Sequence, residues 1–204
     1  MSPREGRPPV IGLLGGIAAG KTTVAEMFGT LGATVLSADA IGHAVVESPS
    51  IRDRIVARWG AQVLGEGGQI DRSKLARQVF ANPQEVGELQ AITHPAIVRE
   101  LREQVASVCR SRGAPAIVID APLLLEAGLD DLCDVLIFVD SPREARLARA
   151  AARGWDPDEL ERRESHQQLL ETKRRRAQFV LDTRAPVETT FLQVQQLWQK
   201  VLGR

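Results

Sequence analysis

The sequence has no excess of charge of either sign. Its 204 residues contain 26 Lys and Arg against 26 Asp and Glu, so the formal net charge at pH 7 is zero. A neutral protein has no overall field that would attract nucleic acid or an acidic membrane surface. We therefore expect neither partner, and any anionic ligand has to be bound by a local cluster of basic groups.

Cysteine is also scarce. The two cysteines, Cys109 and Cys133, lie far apart and form neither a CxxC pattern nor a Cys/His spacing that would hold a metal. They are expected to be reduced, partly buried thiols in a cytoplasmic protein.

Long hydrophobic runs are missing as well. The apolar run from Val10 to Ala19 follows two arginines and superficially resembles a signal peptide. It is too short to cross a bilayer, and it leads into a glycine-rich segment that ends in a lysine. We interpret it as a strand followed by its turn.

Short apolar runs alternate with longer segments of helical pattern, including 21–31 and 186–202. The five predicted strands are residues 9–14, 33–36, 116–119, 135–139 and 179–181. Near-continuous apolar strands separated by helices are typical of a parallel sheet with helices on both faces. The sequence therefore predicts an α/β protein of three layers with a mainly parallel, five-stranded sheet.

Two long helical intervals interrupt this alternation. The first, about residues 41–112, is punctuated by proline and glycine, so it should contain several helices. It is too long for a simple crossover between strands and is a natural place for a substrate-binding lobe. The second, 142–176, follows the fourth strand.

The strongest motif is a phosphate-binding loop between the first strand and the first helix. Gly15 and the triplet 20–22 occupy every fixed position of the pattern G-x-x-x-x-G-K-[ST]. Glycines let successive backbone N–H groups point at phosphate oxygens, at a helix N-terminus that favours anions. Lys21 is predicted to reach the β- and γ-phosphates, and the Thr22 hydroxyl to bind Mg²⁺. The predicted ATP-binding residues are Gly15, Gly16, Ile17, Ala18, Ala19, Gly20, Lys21, Thr22 and Thr23.

Phosphate loops serve kinases, GTPases and motor ATPases. Guanine-specific GTPases use an Asn-Lys-x-Asp loop, and the only asparagine of this chain, Asn82, is followed by Pro83. Motor ATPases usually need a longer chain. A small-molecule kinase fits, because it needs only a core, an acceptor lobe and a lid that carries arginines.

Two carboxylates follow predicted strands. Asp39 stands just after the second strand, and the carboxyl ends of parallel strands border the ligand crevice. It is a candidate base for an acceptor hydroxyl; the alternative is that it caps the next helix. Asp120 ends the third strand and is a candidate ligand of Mg²⁺; the alternative is a turn residue before Pro122.

Basic residues recur after the fourth strand. Arg143, Arg146, Arg149 and Arg153 are spaced by three, three and four, which on a helix places them along one face. Such a stripe suits a lid that closes over phosphates, and the alternative is a solvated helix face. The later run 173–176, Lys-Arg-Arg-Arg, is interpreted as a solvated face.

Together these residues resemble the dephospho-CoA kinase family. The matching segments are 15–22, 38–41, 79–83, His94–Pro95 and 122–126, in the family's order over nearly the whole chain. The His-Pro pair and the Pro-Leu-Leu-x-Glu segment distinguish this family from other small P-loop kinases better than the phosphate loop does.

The resemblance implies a P-loop NTPase fold in three parts: a nucleotide-binding core (9–40, 113–141 and 177–204), a helical CoA-binding lobe (41–112) and a helical lid (142–176). It implies transfer of the ATP γ-phosphate to the ribose 3′-hydroxyl of dephospho-CoA, the last step of coenzyme A synthesis, with Mg²⁺ as cofactor. A monomer or weak homo-oligomer is expected. The alternatives are a kinase for another small acceptor and a non-catalytic nucleotide-binding module.

The resemblance also assigns residues. Asp39 and Lys21 would be catalytic, and Arg149 and Arg153 would be the basic positions of the lid. The substrate-binding residues would be Asp39, His94, Pro95, Leu123, Leu124 and Glu126. The candidate metal ligands remain Thr22 and Asp120, from the loop and strand-end patterns above.

The chain departs from the family pattern outside the phosphate loop. Ser37 stands where an aspartate is common, His43 where an arginine is common, and Gly154 follows Arg153 where an acidic or amide residue is usual. The pair 182–183, Asp-Thr, stands where Asp-Asn is usual, which leaves the adenine-side contacts open. None of these changes affects Asp39.

Overall fold

The computed structural model describes residues 6–79, 82–111, 113–165 and 167–203, apart from the side chain at position 83. Two residues of the family-like segment 79–83, Phe80 and Ala81, lie outside this description. Among the residues described, no helix combines the length and the apolar character required to cross a membrane.

Strands and helices alternate along the chain much as the pattern predicts. The elements are β1 (Val10–Gly15), α1 (Lys21–Thr30), β2 (Thr34–Ser37), α2 (Ala38–Glu47), α3 (Pro49–Trp59), α4 (Arg72–Val79), α5 (Pro83–Ser111), β3 (Ile117–Asp120), β4 (Val135–Asp140), α6 (Arg143–Ala151), α7 (Pro157–Glu164), α8 (Leu170–Arg176), β5 (Phe179–Asp182) and α9 (Val187–Val201). Short 3₁₀ turns cover Ala61–Val63 and Leu129–Leu132.

The strands form one parallel sheet in the order β2-β3-β1-β4-β5. The central strand β1 is buried along its whole length, which explains why its sequence is continuously apolar. The helices α1 and α9 pack together on the sheet, where the rings of Phe28 and Trp198 lie 6.1 Å apart. The predicted α/β fold with a five-stranded parallel sheet is thereby confirmed.

The chain forms two compact units. The first comprises the described residues of Met1–Ser37 and Gln104–Arg204 and contains the sheet with helices α1 and α6–α9; the second is Ala38–Glu103. The predicted division into core, lobe and lid is finer than this, and its boundaries stay a prediction.

In the second unit, a polar contact joins two of the helices. The carboxylate of Glu85, near the start of α5, accepts hydrogen bonds from Arg58 Nη2 and Trp59 Nε1, both at 2.7 Å. The two donors end α3, so one half-buried carboxylate ties α3 to α5. Because a buried indole N–H without a partner is costly, this contact also fixes the position of Trp59.

Within β1, Gly12 has no room for a side chain. A Cβ at this residue would lie 2.7 Å from Cys133 Sγ and 2.8 Å from Leu136 Cδ2. The Cys133 thiol is itself largely buried beside Gly12. This burial, together with the negative charge of the neighbouring aspartates, raises the pKa of Cys133 to about 12, so the thiol stays protonated and unreactive. Both cysteines are free and partly buried, as predicted.

We expect Gly12→Ala to lower the free energy of unfolding by about 1–3 kcal/mol, because the added methyl over-packs a rigid core. Adding Cys133→Ala should restore part of this loss, since it removes the nearest clashing atom. Gly87→Ala is the control: a Cβ at this position in α5 would meet no atom within 4 Å, and alanine favours helices. Urea denaturation of the wild type and the variants measures the effect, and an unchanged unfolding midpoint for Gly12→Ala would contradict the packing argument.

Candidate active site

The phosphate loop connects β1 to α1 in the first unit. Gly15 has a φ of 146° and Gly20 a φ of 95°, values that L side chains rarely adopt. A Cβ on Gly15 would also lie 2.7 Å from the Val139 carbonyl oxygen on β4. Ala18 has a positive φ of 58° as well, so the loop holds a strained residue, as functional loops often do.

Lys21, the first residue of α1, is buried beside the loop with 8% of its surface exposed. Its Nζ donates hydrogen bonds to the carbonyl oxygens of Gly16 at 2.9 Å and Gly15 at 3.2 Å. A buried ammonium is stable only with such partners. The loop's own backbone therefore fixes the cation at the place where its N–H groups would receive phosphates.

The two predicted metal ligands lie side by side. Thr22 Oγ1 donates a hydrogen bond of 2.8 Å to Asp120 Oδ2, and Asp120 is 7% exposed at the end of β3. Hydroxyl and carboxylate oxygens suit Mg²⁺, which typically takes one or two protein ligands together with phosphates and water. Within the described ranges, no three His, Cys, Asp or Glu residues cluster as an all-protein metal site. The residues present fit a phosphate-bound magnesium ion.

Arg149, on α6, reaches the carboxyl end of the phosphate loop. Its Nη1 lies 3.1 Å from the Ala19 carbonyl oxygen, 3.2 Å from that of Ala18 and 3.0 Å from Ser141 Oγ. Its Nη2 is 3.4 Å from the Thr183 carbonyl oxygen, after β5. One guanidinium thus links the loop to the ends of β4 and β5.

Ser141 was not predicted as part of this site, and Thr183 was noted only as a departure from the family pattern on the adenine side. The hydroxyl of Thr183 donates to the Asp140 carbonyl at 3.0 Å, which joins the two strand ends. The signal available in the sequence was their position two residues after predicted strands, close to the strand ends where ligand-binding residues of parallel sheets gather.

The predicted stripe of arginines does not form one helical face. Helix α6 ends at Ala151, because Gly154 adopts a φ of 79° and its N–H bonds back to the Ala151 carbonyl at 2.9 Å. Arg153 therefore lies beyond the helix, exposed, with its guanidinium 5.8 Å from the centre of the Trp155 ring. Arg163 lies over the same ring at 4.2 Å.

The interpretation of the basic run 173–176 as a solvated face is wrong for its first member. Lys173 is 2% exposed, and its Nζ lies 2.8 Å from Gln167 Oε1 and 3.1 Å from Glu126 Oε1. The same Glu126 oxygen accepts the Gln168 N–H at 2.7 Å. The ion pair with Glu126, far earlier in the chain, allows Lys173 to be buried although its neighbours in sequence are typical of a solvated helix face.

Glu126 therefore connects its own segment to the start of α8. Of the other predicted substrate residues in this unit, Leu124 is buried at 1% and Leu123 is half-buried. Their assignment to a substrate site stays a prediction.

Three of the predicted substrate residues, Asp39, His94 and Pro95, lie in the second unit. Asp39 is exposed inside the first turn of α2, where a carboxylate interacts favourably with the helix dipole. His94 is half-buried in α5, and this burial lowers its pKa, so the ring is neutral at neutral pH. Pro95 lies inside the same helix, where it removes one backbone N–H donor.

At the end of β5, Asp182 is paired with Arg184. Side-chain and backbone hydrogen bonds from Arg184 lower the pKa of Asp182. The carboxylate also accepts the Arg184 N–H at 2.8 Å, a local turn that orients the segment after β5.

Comparison with known proteins gives a consistent answer. The family model described as "CoaE: Dephospho-CoA kinase" matches residues 9–188. A dephospho-CoA kinase from Syntrophotalea carbinolica is 41% identical over 196 residues, which cover 95% of this chain and 92% of that protein. A crystal structure of a Thermus thermophilus protein is 31% identical, with a TM-score of 0.75 over 95% of this chain and 98% of that one. The dephospho-CoA kinase of Campylobacter jejuni shares the fold, with a TM-score of 0.71 at 23% identity over 95% and 97% of the two chains. As the resemblance of its motifs predicts, the chain belongs to the dephospho-CoA kinase family.

Proposed function

We propose that the chain transfers the γ-phosphate of ATP to the ribose 3′-hydroxyl of dephospho-CoA, giving CoA and ADP. The observation that carries this proposal is the phosphate loop with its buried Lys21, in a chain whose family match runs from residue 9 to residue 188. A phosphate loop alone is compatible with many acceptors. Membership of the dephospho-CoA kinase family indicates which acceptor this chain uses.

On the donor side, the loop N–H groups and Lys21 hold the β- and γ-phosphates. Thr22 and Asp120 would hold Mg²⁺, which when bound neutralises charge on these phosphates. Arg149 supports the loop from α6, and Arg153 supplies further positive charge from the segment after that helix. These groups act by position and charge, because the transferring phosphoryl group passes through a loose transition state.

On the acceptor side, Asp39 orients the 3′-hydroxyl and accepts its proton. His94 and Pro95 belong to the substrate site, and so do Leu123, Leu124 and Glu126. A neutral His94 ring suits this role, since it can both donate and accept a hydrogen bond. The expected location is the cytoplasm and the expected state a monomer or weak homo-oligomer.

A panel of acceptors tests the activity. We expect rapid transfer from Mg-ATP to dephospho-CoA, with a product whose mass identifies CoA, and at least about 10³-fold lower kcat/KM for shikimate or a nucleoside. Reactions without acceptor and reactions with a chelator of divalent cations are the controls. Equal or faster transfer to another hydroxyl would replace the acceptor, and ATP binding without transfer to any acceptor would indicate a nucleotide-binding module instead.

A further inference from the structure

Arg146 lies against the phosphate loop in a way that the arginine pattern did not predict. It belongs to α6 and is only 5% exposed. A Cβ added to Gly16 would lie 2.9 Å from Arg146 Nη1, 3.2 Å from its Cζ and 3.3 Å from its Cδ. The arginine side chain therefore occupies the volume that a side chain at position 16 would need.

This contact gives Gly16 a role that differs from that of the other loop glycines. Gly15 and Gly20 are required by their positive φ angles, and Gly16 has none. At Gly16 a side chain is excluded by the guanidinium that packs on it. The pattern G-x-x-x-x-G-K-[ST] leaves position 16 unspecified, so the motif alone does not predict this requirement.

The charge of Arg146 is balanced by the lid segment. Its Nη1 forms an ion pair with Glu164 Oε1, at the end of α7, and the Glu164 side chain is 21% exposed. Within the described part of the chain, Arg146 Nε has no hydrogen-bond partner although it is buried. A buried guanidinium with an unsatisfied N–H is a poor way to gain stability, which favours a functional reason for its presence.

The residue on which Arg146 packs is also the one that holds Lys21. The Gly16 carbonyl accepts the hydrogen bond from Lys21 Nζ at 2.9 Å and another from the Ala19 N–H at 3.2 Å. A shift of Gly16 would therefore move the catalytic ammonium and the turn of the loop together. We propose that Arg146 is a positioning residue of the phosphate loop: held by Glu164, it fixes Gly16 and so links α7 to the binding of the triphosphate.

The proposal rests on the proposed function only in taking ATP as the ligand of the loop. Because Arg146 and Glu164 form a nearly neutral pair, the effect of Arg146 is on the position of the loop rather than on its total charge. Its removal should then weaken nucleotide binding more than it slows the chemical step once ATP is saturating.

The experiment measures ATP binding by calorimetry without acceptor, and steady-state kinetics with dephospho-CoA. We expect Arg146→Ala to raise the Kd and KM for ATP about tenfold, with kcat within about threefold of wild type and the KM for dephospho-CoA unchanged. The ATP affinity of Arg146→Lys should lie between those of wild type and Arg146→Ala, because an ammonium can pair with Glu164 but does not cover Gly16 in the same way. Arg162→Ala is the matched control, since its ion pair with Glu159 lies on the surface of α7.

A double-mutant cycle separates positioning from general destabilisation. Gly16→Ala alone should also weaken ATP binding about tenfold or more, because the new methyl and the guanidinium compete for one space. In Gly16→Ala/Arg146→Ala the two losses should be clearly less than additive, since the clash is gone. Should Arg146→Ala fail to fold, the loss of ATP affinity can be measured in Arg146→Met and in Glu164→Gln. Each of these variants roughly keeps the volume of the side chain that it replaces.

Three results would overturn the proposal: unchanged ATP affinity in Arg146→Ala, fully additive losses in the cycle, or a fall in kcat beyond about 10² with unchanged ATP affinity, which would make Arg146 a transition-state contact instead. The calorimetric arm needs no acceptor. A wild-type protein that fails to phosphorylate dephospho-CoA therefore refutes the proposed function while leaving the test of Arg146 intact.

Discussion

Asp39→Asn is expected to lower kcat for dephospho-CoA by about 10²–10⁴-fold, with the Kd for ATP unchanged. Asparagine keeps the size of the side chain and an oxygen that accepts a hydrogen bond, but it cannot take the proton of the acceptor hydroxyl. Asp39 lies in the first turn of α2 and is exposed, so the substitution should leave the fold intact. Steady-state kinetics with the acceptor varied at saturating Mg-ATP measure the effect.

A matched carboxylate controls for the loss of one negative charge. Asp53, on α3 of the same unit, is exposed and pairs with its neighbour Arg52. Asp53→Asn should change kcat by less than about twofold. If Asp39→Asn retained wild-type turnover, Asp39 would not be the base, and its place at the helix start would be explained by the dipole interaction alone.

Asp39→Ala distinguishes the two tasks assigned to the carboxylate. Alanine removes the hydrogen-bond acceptor as well as the proton acceptor. If orientation of the hydroxyl contributes, the kcat of Asp39→Ala should therefore be lower than that of Asp39→Asn. Equal rates for the two variants would assign the whole effect to proton transfer.

The sheet and the phosphate loop could be predicted because they depend on residues that are adjacent in sequence. The continuous apolar run of β1 reports that both faces of this strand are buried, and Gly15 and Gly20 report backbone angles that other residues resist. The Gly-Lys-Thr triplet then fixes the chemistry of the loop locally. Such features can be recognised in the sequence without any knowledge of the tertiary structure.

Arg146 and Lys173 could not be placed in this way. Each stands among basic residues, a pattern typical of a solvated helix face, and yet each is buried. Their partners, Glu164 and Glu126, lie on other elements, and the exposure of a charge depends on whether such a partner exists. Helix propensity and charge spacing carry no information about it.

The end of α6 shows a smaller error with a local cause. The spacing of four between Arg149 and Arg153 fits a helix, but Gly154 terminates it before Arg153 is reached. A glycine directly after the last periodic residue is a stop signal that the sequence did contain.

Lys21→Met is expected to lower kcat/KM for ATP by at least about 10²–10³-fold, because it removes the cation that we propose contacts the phosphates. The ammonium is buried and held by the Gly15 and Gly16 carbonyls, so its position is fixed before the nucleotide arrives. Methionine has a similar length and no charge. Kinetics at varied ATP and calorimetry without acceptor measure the loss.

The stability of the same variant separates catalysis from folding. A buried cation costs desolvation, so an apolar side chain of similar volume should leave the unfolding temperature equal to that of wild type or raise it. Lys200→Met, an exposed lysine on α9, should alter neither activity nor stability. Lys21→Arg should remain impaired, because the planar guanidinium is too large for a site closed by Gly15 and Gly16 and cannot act as a compact point charge. Full activity in Lys21→Arg would show that charge alone suffices there, and a lower unfolding temperature in Lys21→Met would mean that the ammonium stabilises the loop as well as serving the phosphates.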